Sequence, residues 1–129
     1  MSLNLKEIKR AVAEVPEIAA CNLFGSAAKQ EEVVNDLDLL ILVRPKADTE
    51  NAIWQLTRRV SEFLRIEADK VDILLFDLAQ ADPEVLYHAV NEGVLLKNEL
   101  PDLLTDKIEA LSDIDAATGV APAKARRGW

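Results

Sequence analysis

The segment from Leu37 to Val43 constrains the fold more than any other part of the sequence. It reads LDLLILV, and every side chain in it except that of Asp38 is apolar. A short continuous apolar run that ends at Arg44-Pro45 is typical of a β-strand covered on both of its faces. Such a strand needs a sheet with helices packed on each side, so we expect an α/β domain.

Apolar spacing and turn residues predict the remaining elements. Helix starts are indicated by Ser26, by Asp48 or Thr49, and by Asp82-Pro83, and a helix end is indicated by Gly93. Helices are predicted at residues 3–15, 27–32, 49–66 and 82–93, with another from Pro101 onward, and strands at residues 18–24, 37–43, 71–76 and 94–96. This order predicts a small mixed sheet flanked by helices.

The predicted elements divide into a core domain over residues 1–100 and a C-terminal extension over residues 101–129. Half of the residues in this chain of 129 are hydrophobic, which is enough for one compact core. The extension is predicted to form one helix followed by a frayed, flexible tail at Ala116–Trp129.

The charge balance limits the class of partner. The chain has 23 acidic and 15 basic residues and a formal net charge of −8. Proteins that bind duplex nucleic acid usually carry a basic surface, so nucleic acid is an unlikely substrate. A small anion that is held through a metal ion is compatible with this balance, because the metal supplies the positive charge.

Features of the N-terminal region and of the single cysteine predict a cytoplasmic protein. Residues 1–15 mix charged and apolar side chains, which is not the pattern of a signal peptide. Cys21 lies in an apolar run, where a buried structural thiol is expected. The longest apolar run, Leu37 to Val43, is too short to span a bilayer, so we expect no membrane association.

Gly25 and Ser26 stand between a predicted strand and a predicted helix. A glycine lets the backbone approach a phosphate closely, and the start of a helix offers unpaired N–H donors. The pattern therefore predicts a phosphate-binding turn, although ordinary turn chemistry is the alternative interpretation.

Asp36 and Asp38 lead into the buried strand. Residues two apart on a strand point to the same face, so the two carboxylates are expected to lie side by side. They repel each other unless a cation intervenes, and magnesium takes one or two carboxylates together with substrate phosphates. The alternative is a solvated strand entrance, an interpretation that suits Asp36 better than Asp38.

Asp72 lies inside the predicted strand VDILLF. A buried carboxylate is costly unless it is paired or bound to metal. If this strand lies beside that of Asp38, then Asp72 completes a triad, in which two acids hold metal and the third polarises an attacking hydroxyl. The alternative is an exposed residue on an edge strand. Asp77 is predicted to cap the following turn.

Together these motifs resemble the active site of the polymerase-beta-like nucleotidyltransferase superfamily, and most closely its minimal nucleotidyltransferases. The resemblance rests on LFGSAAKQEEVVNDLDLLILV at residues 23–43, on VDILLFD at 71–77 and on NEGVLL at 91–96, and it covers about residues 5–98. The sequence departs from the pattern at Ala27, where an Arg or Tyr is common, at Gln30, where a Gly is frequent, and at Asn35, where a Ser is frequent.

The resemblance implies a role for each motif residue. Gly25 and Ser26 would cradle the β and γ phosphates of ATP, and Lys29 would steady the triphosphate. Asp36 and Asp38 would hold two Mg²⁺ ions, and Asp72 would join one ion and act as base toward the acceptor hydroxyl. A nucleoside monophosphate, AMP in this interpretation, would then be transferred.

The resemblance also implies a partner, since minimal nucleotidyltransferases are often paired with a helical HEPN toxin. The expected function is therefore that of an antitoxin, which transfers AMP to a tyrosine of the toxin; a homodimer is a further possible assembly. Two alternatives stay open: an inert module that binds nucleotide or partner, and a transferase for a small molecule such as an aminoglycoside.

Overall fold

The computed structural model describes residues 4–28 and 36–118, with the backbone alone for Ser26 and residues 114–118. The predicted α/β fold is confirmed. The helices are α1 (Leu5–Ala13), α2 (Gly25–Ala28), α3 (Thr49–Leu64), α4 (Pro83–Asn91) and α5 (Pro101–Thr118). The strands are β1 (Ile18–Phe24), β2 (Leu37–Val43), β3 (Val71–Leu75) and β4 (Val94–Asn98), and a 3₁₀ turn at Ala68–Lys70 precedes β3.

The four strands form one mixed sheet in the order β3-β2-β1-β4. Strand β1 is antiparallel to both β2 and β4, whereas β2 and β3 are parallel. The end of β1 and the starts of the other three strands therefore meet at one edge of the sheet, which we call the upper edge. The opposite edge, where β2, β3 and β4 end, is the lower edge.

Each face of the sheet carries its own hydrophobic core. Helices α1 and α3 cover one face with Ile8, Val12, Leu56 and Val60, all of which are at most 1% exposed. Helices α4 and α5 cover the other face with buried leucine, isoleucine and valine side chains: Leu86, Val90, Leu104, Ile108 and Leu111. The central strands β1 and β2 are buried along most of their length, which confirms the interpretation of the LDLLILV run.

Two of the three predicted N-caps, at the starts of α3 and α4, are present, whereas the prediction of Ser26 as an N-cap was wrong, because α2 already begins at Gly25. The Asp48 side chain accepts a hydrogen bond from the Asn51 N–H at the start of α3, over 3.1 Å. The Asp82 side chain accepts one from the Glu84 N–H over 2.9 Å, with Pro83 in the first turn of α4. Caps of this kind typically contribute about 1 kcal/mol each to stability.

Several predicted boundaries were wrong by a few residues. Helix α3 ends at Leu64, because Arg65 takes a left-handed conformation with φ 55°. Strand β3 ends at Leu75, because the chain turns at Asp77, whose side chain accepts the Ala79 N–H as predicted. Strand β4 continues to Asn98 through its pairing with Ala20.

Helices α2 and α5 also differ from the prediction. Helix α2 begins at Gly25 rather than at Ala27, and its predicted continuation to Glu32 lies outside the described residues. Helix α5 runs to Thr118, so the first three residues of the predicted tail are helical, while residues 119–129 lie outside the described part. No helix in the described part is long and apolar enough to cross a membrane.

Candidate active site

The upper edge of the sheet brings the predicted site residues together. Phe24, the last residue of β1, pairs with Asp38 on β2, and Asp38 pairs with Asp72 on β3. Gly25 follows Phe24 directly. Three neighbouring strands therefore place Gly25, Asp38 and Asp72 in one row, although they are far apart in the sequence.

The parallel register of β2 and β3 sets the distance between the two acids. Asp38 and Asp72 lie directly opposite each other, and their carboxyl groups are close enough to share a hydrogen bond. Asp38 continues the side-chain row of Leu40 and Leu42, so it lies on the face covered by α4 and α5, beyond the apolar core. Asp38 is half-buried and Asp72 is exposed on the edge strand.

The surroundings of Asp38 at this end of the sheet disfavour its negative charge. Burial, followed by the negative charges of Asp72 and Asp36 and the hydrogen bond with Asp72, raises the pKa of Asp38 from 3.8 to about 6. All of these causes disfavour the ionised carboxylate. A cation beside Asp38 would act in the opposite direction, because it favours the ionised form.

Gly25 is required by both its backbone and its surroundings. Its φ is +71°, a left-handed conformation in which side chains are strained. In addition, a Cβ at this position would overlap Asp38 Oδ2. The glycine therefore leaves room for the Asp38 carboxylate, a reason that cannot be seen in the sequence, and its role in binding phosphate stays a prediction.

The other residues predicted to bind phosphate are only partly described. The backbone of Ser26 lies in the first turn of α2, next to Gly25. Lys29 lies outside the described residues. The roles of Ser26 and Lys29 therefore stay predictions.

Two of the three predicted carboxylates lie close together, and the third lies nearby, so the side chains that the structure describes do not by themselves form a complete metal-binding site. Among the described residues, no three or more His, Cys, Asp or Glu side chains are grouped closely enough to hold a metal ion by themselves. Asp38 and Asp72 form the pair, and Asp36 is exposed two residues before Asp38. Magnesium keeps several waters and is commonly bound by one or two carboxylates plus substrate phosphates, so this donor set fits it.

Asn22, on the strand that leads to Gly25, makes a buried contact with α4 that the sequence pattern did not predict. Its side chain is 2% exposed, and its Nδ2 donates a hydrogen bond to the Ala89 carbonyl in the last turn of α4, over 2.6 Å. A Cβ at Gly93 would overlap Asn22 Nδ2. Asn22 thus ties the end of α4 to β1, three residues before Gly25. The signal that could have revealed it is a single amide within the apolar run IAACNLF.

The comparisons with known proteins agree with this geometry. The family model for polymerase beta, nucleotidyltransferase, matches residues 6–101. No curated protein matches the chain significantly in sequence. The matched region contains the glycine turn and all three acids.

Solved structures show the same fold at low sequence identity. A chain in an MntA–HpeT toxin–antitoxin complex has a TM-score of 0.62 and 20% identity, over 89% of this chain and 92% of that one. A toxin–antitoxin structure with AMP-PNP has a TM-score of 0.62 and 21% identity over the same shares. A tri-AMPylated Shewanella oneidensis HEPN toxin in complex with MNT antitoxin has a TM-score of 0.55 and 20% identity, over 88% and 92%.

The family match covers most of the chain, and the sheet order and the row of Gly25, Asp38 and Asp72 are consistent with it. This chain is therefore a member of the polymerase beta nucleotidyltransferase family.

Proposed function

We propose that this protein transfers AMP from ATP to a hydroxyl group of a partner protein: the hydroxyl oxygen forms a bond to the α-phosphorus, and pyrophosphate leaves. The observation that carries the proposal is the parallel register that pairs Asp38 with Asp72 beside Gly25. This arrangement places two carboxylates and a close-approach glycine at one open edge of the sheet. Those are the elements that a Mg²⁺-bound triphosphate needs.

Each residue has a proposed task. Asp38 and Asp36 hold Mg²⁺, and Asp72 contributes to the same site from the neighbouring strand. When bound, two Mg²⁺ ions would stabilise the charge on the attacking and leaving oxygens. Gly25 admits the triphosphate backbone next to Asp38, with Ser26 and Lys29 as further phosphate contacts. The exposed Asp72 carboxylate accepts the proton of the acceptor hydroxyl.

The structural neighbours support both the nucleotide and the partner. One of them contains AMP-PNP, and another contains an AMPylated HEPN toxin with an MNT antitoxin. A third is a complex in which two aspartates, two positions apart, are replaced by glutamate. That spacing is the spacing of Asp36 and Asp38. We therefore propose a HEPN-type toxin as the acceptor, with a tyrosine as the modified residue, and an antitoxin role for this chain.

The test is transfer of AMP to a HEPN-type protein, the acceptor proposed here. Both proteins are purified, mixed with ATP and Mg²⁺, and examined by intact mass spectrometry and peptide mapping. We expect an added AMP on a tyrosine of the partner. The Asp38→Asn variant should lose this addition, whereas Asp106→Asn, which removes an exposed acid from α5, should retain it.

Two results would contradict the proposal in different ways. Binding of Mg-ATP without any transfer would indicate a module that senses nucleotide or binds a partner. Transfer to a small hydroxyl compound, but not to the partner protein, would indicate a small-molecule nucleotidyltransferase.

A further inference from the structure

A concave site lies at the lower edge of the sheet, at the opposite end from Asp38. It is a cleft of about 380 Å³ between the loop after β2, the end of β3 and one side of α5. Its apolar wall is formed by Leu42, Leu75, Phe76 and Leu103. A volume of this size is in the range of pockets that bind small molecules.

Some of the charged side chains that line the cleft have partners within the protein, and others have none within its described part. Arg44 is already bound, because its guanidinium donates to Glu99 and to the Pro16 carbonyl. Lys46 and Lys107 line the cleft from the β2–α3 loop and from α5, and neither has an ion pair within the described part of the chain. The acid of the cleft, Asp77, accepts the Ala79 N–H.

Lys46 and Lys107 give the cleft two ammonium groups that have no ion pair within the described part of the chain, although the net charge of the chain is −8. A bound anion would attract both ammonium groups and so offset the side-chain entropy and hydration that each lysine loses on being ordered. The apolar wall in turn favours a ligand with an apolar body rather than a fully hydrated ion.

We propose that this cleft binds a small organic anion, which has an apolar or aromatic body and one carboxylate or phosphate group. The body packs on Leu75, Phe76 and Leu103, and the anionic group lies between Lys46 and Lys107. This site is independent of the proposed nucleotidyltransferase site, because it uses none of its residues and lies at the other edge of the sheet.

The proposal is tested by nuclear magnetic resonance of the full-length ¹⁵N-labelled chain. Three probes at millimolar concentration distinguish the contribution of the aromatic body from that of the negative charge. Benzoate has an aromatic body and a negative charge, benzamide has the aromatic body alone, and acetate has the charge alone. We expect saturable benzoate-induced shifts of amides in residues 42–49, 75–77 and 103–107, with much weaker effects of the other two probes.

Replacing Lys46 and Lys107 by glutamate shows whether benzoate binding depends on their positive charges. The variant Lys46→Glu/Lys107→Glu should bind benzoate about tenfold more weakly or not at all, since two attractive contacts become repulsive. The matched control is Lys6→Glu/Lys9→Glu, which makes the same change in net charge on the exposed side of α1 and should bind like wild type. Thermal unfolding checks that both variants remain folded.

Two outcomes would overturn the proposal. One is the absence of saturable benzoate shifts at the cleft in the folded wild type. The other is equal weakening of binding in the two double variants, which would reduce the effect to overall charge. The Asp38→Asn variant separates this site from the proposed function, because it should lose AMP transfer and keep benzoate binding.

Discussion

Asp38 is the residue at which the fold and the proposed chemistry conflict most directly. Its carboxylate is half-buried, it lies opposite Asp72, and it has Asp36 two residues away. Each of these neighbours makes the ionised form less stable, which is why the pKa of Asp38 rises to about 6. Without a cation, the folded protein therefore loses stability through this residue when Asp38 ionises.

The first prediction concerns the pH dependence of that loss. Because the pKa of Asp38 is higher in the folded state than its ordinary value of 3.8, the folded state binds the proton more tightly, and stability from this group falls as pH rises from about 4 to about 6. Without divalent cations at pH 7.5, Asp38→Asn should therefore unfold at a temperature a few degrees higher than wild type. Thermal unfolding in a chelator measures this difference.

The gain should disappear at pH 4, where the wild-type carboxyl is protonated as well. An Asn at position 38 can still donate a hydrogen bond to Asp72, so the comparison changes the charge and preserves the contact. A variant that is less stable than wild type at pH 7.5 would contradict the assignment of Asp38 as a destabilising charge in the cation-free protein.

The second prediction concerns Mg²⁺. A cation that binds the folded state raises its unfolding temperature, and protons compete with it for Asp38. We expect Mg²⁺ to stabilise wild type clearly at pH 7.5 and only weakly at pH 5. Calorimetry and thermal unfolding across a Mg²⁺ titration, each with and without a nonhydrolysable ATP analogue, measure the effect.

Matched variants make this measurement specific. Asp38→Asn and Asp72→Asn should abolish the stabilisation by Mg²⁺, whereas Asp106→Asn on α5 should respond like wild type. An equal response in all four proteins would mean that Mg²⁺ acts through general charge screening rather than at the upper edge of the sheet.

At the scale of elements, a buried hydrogen bond attaches the end of α4 to β1, the strand that leads to Gly25. The last carbonyls of a helix have no partner within the helix, and here the buried Asn22 side chain satisfies that of Ala89. Gly93 follows the helix and leaves room for the Asn22 amide. This contact holds the end of α4 against the strand that leads to Gly25, so it supports the glycine turn without belonging to it.

The third prediction follows from this contact. Asn22→Ala leaves the Ala89 carbonyl buried and unpaired, so it should lower the free energy of unfolding by about 1–3 kcal/mol. Gly93→Ala should also be destabilising, because its Cβ would overlap Asn22 Nδ2 and lie 2.5 Å from the Ala89 carbonyl oxygen, the two atoms of the hydrogen bond between Asn22 and Ala89. Urea unfolding of the two single variants and of the double variant measures both effects.

The double variant is the informative one. Both substitutions disrupt the same hydrogen bond between Asn22 and Ala89. The losses of unfolding free energy in the two single variants should therefore add up to clearly more than the loss in the double variant. Simple additivity would show that Asn22 and Gly93 stabilise the protein independently, and it would contradict the proposed link between α4 and β1.

At the scale of the whole molecule, two cores on opposite faces share the same central strands. Helix α5 supplies Leu104, Ile108 and Leu111 to the second core, and all three side chains are at most 3% exposed. The predicted division into a domain over residues 1–100 and an extension from residue 101 stays a prediction. A domain boundary at residue 100 implies that residues 1–100 fold independently of the rest of the chain.

The fourth prediction tests that claim. A chain that ends at Leu100 leaves the apolar face of β1, β2 and α4 partly uncovered, and large buried side chains contribute about 1.5–3 kcal/mol each. We therefore expect the truncated chain to lose cooperative unfolding and to bind a hydrophobic dye. A chain that ends at Thr118 should unfold like the full-length protein. Cooperative unfolding of the shorter chain would instead support a domain boundary at residue 100.

Local patterns were sufficient for the local structure. The LDLLILV run predicted a strand buried on both faces, and Asp48 and Asp82 predicted the two caps that the structure contains. The caps could be predicted because a cap depends on residues close in the chain, and the strand because its own apolar run needs cover on both faces. Boundaries were less accurate at β3, which the turn at Asp77 ends, and at β4, which pairing with Ala20 extends to Asn98.

The sequence by itself determined the fold class, the family resemblance and the acids of the candidate site. Only the tertiary structure decided that β3 lies parallel to β2 with Asp72 opposite Asp38, that Gly25 makes room for the Asp38 carboxylate, and that Lys46 and Lys107 line one cleft. The physical reason is that strand register and helix placement depend on contacts between residues distant in the chain. Those contacts form only when the side chains on both faces of the sheet pack together, and no short segment of the sequence contains that information.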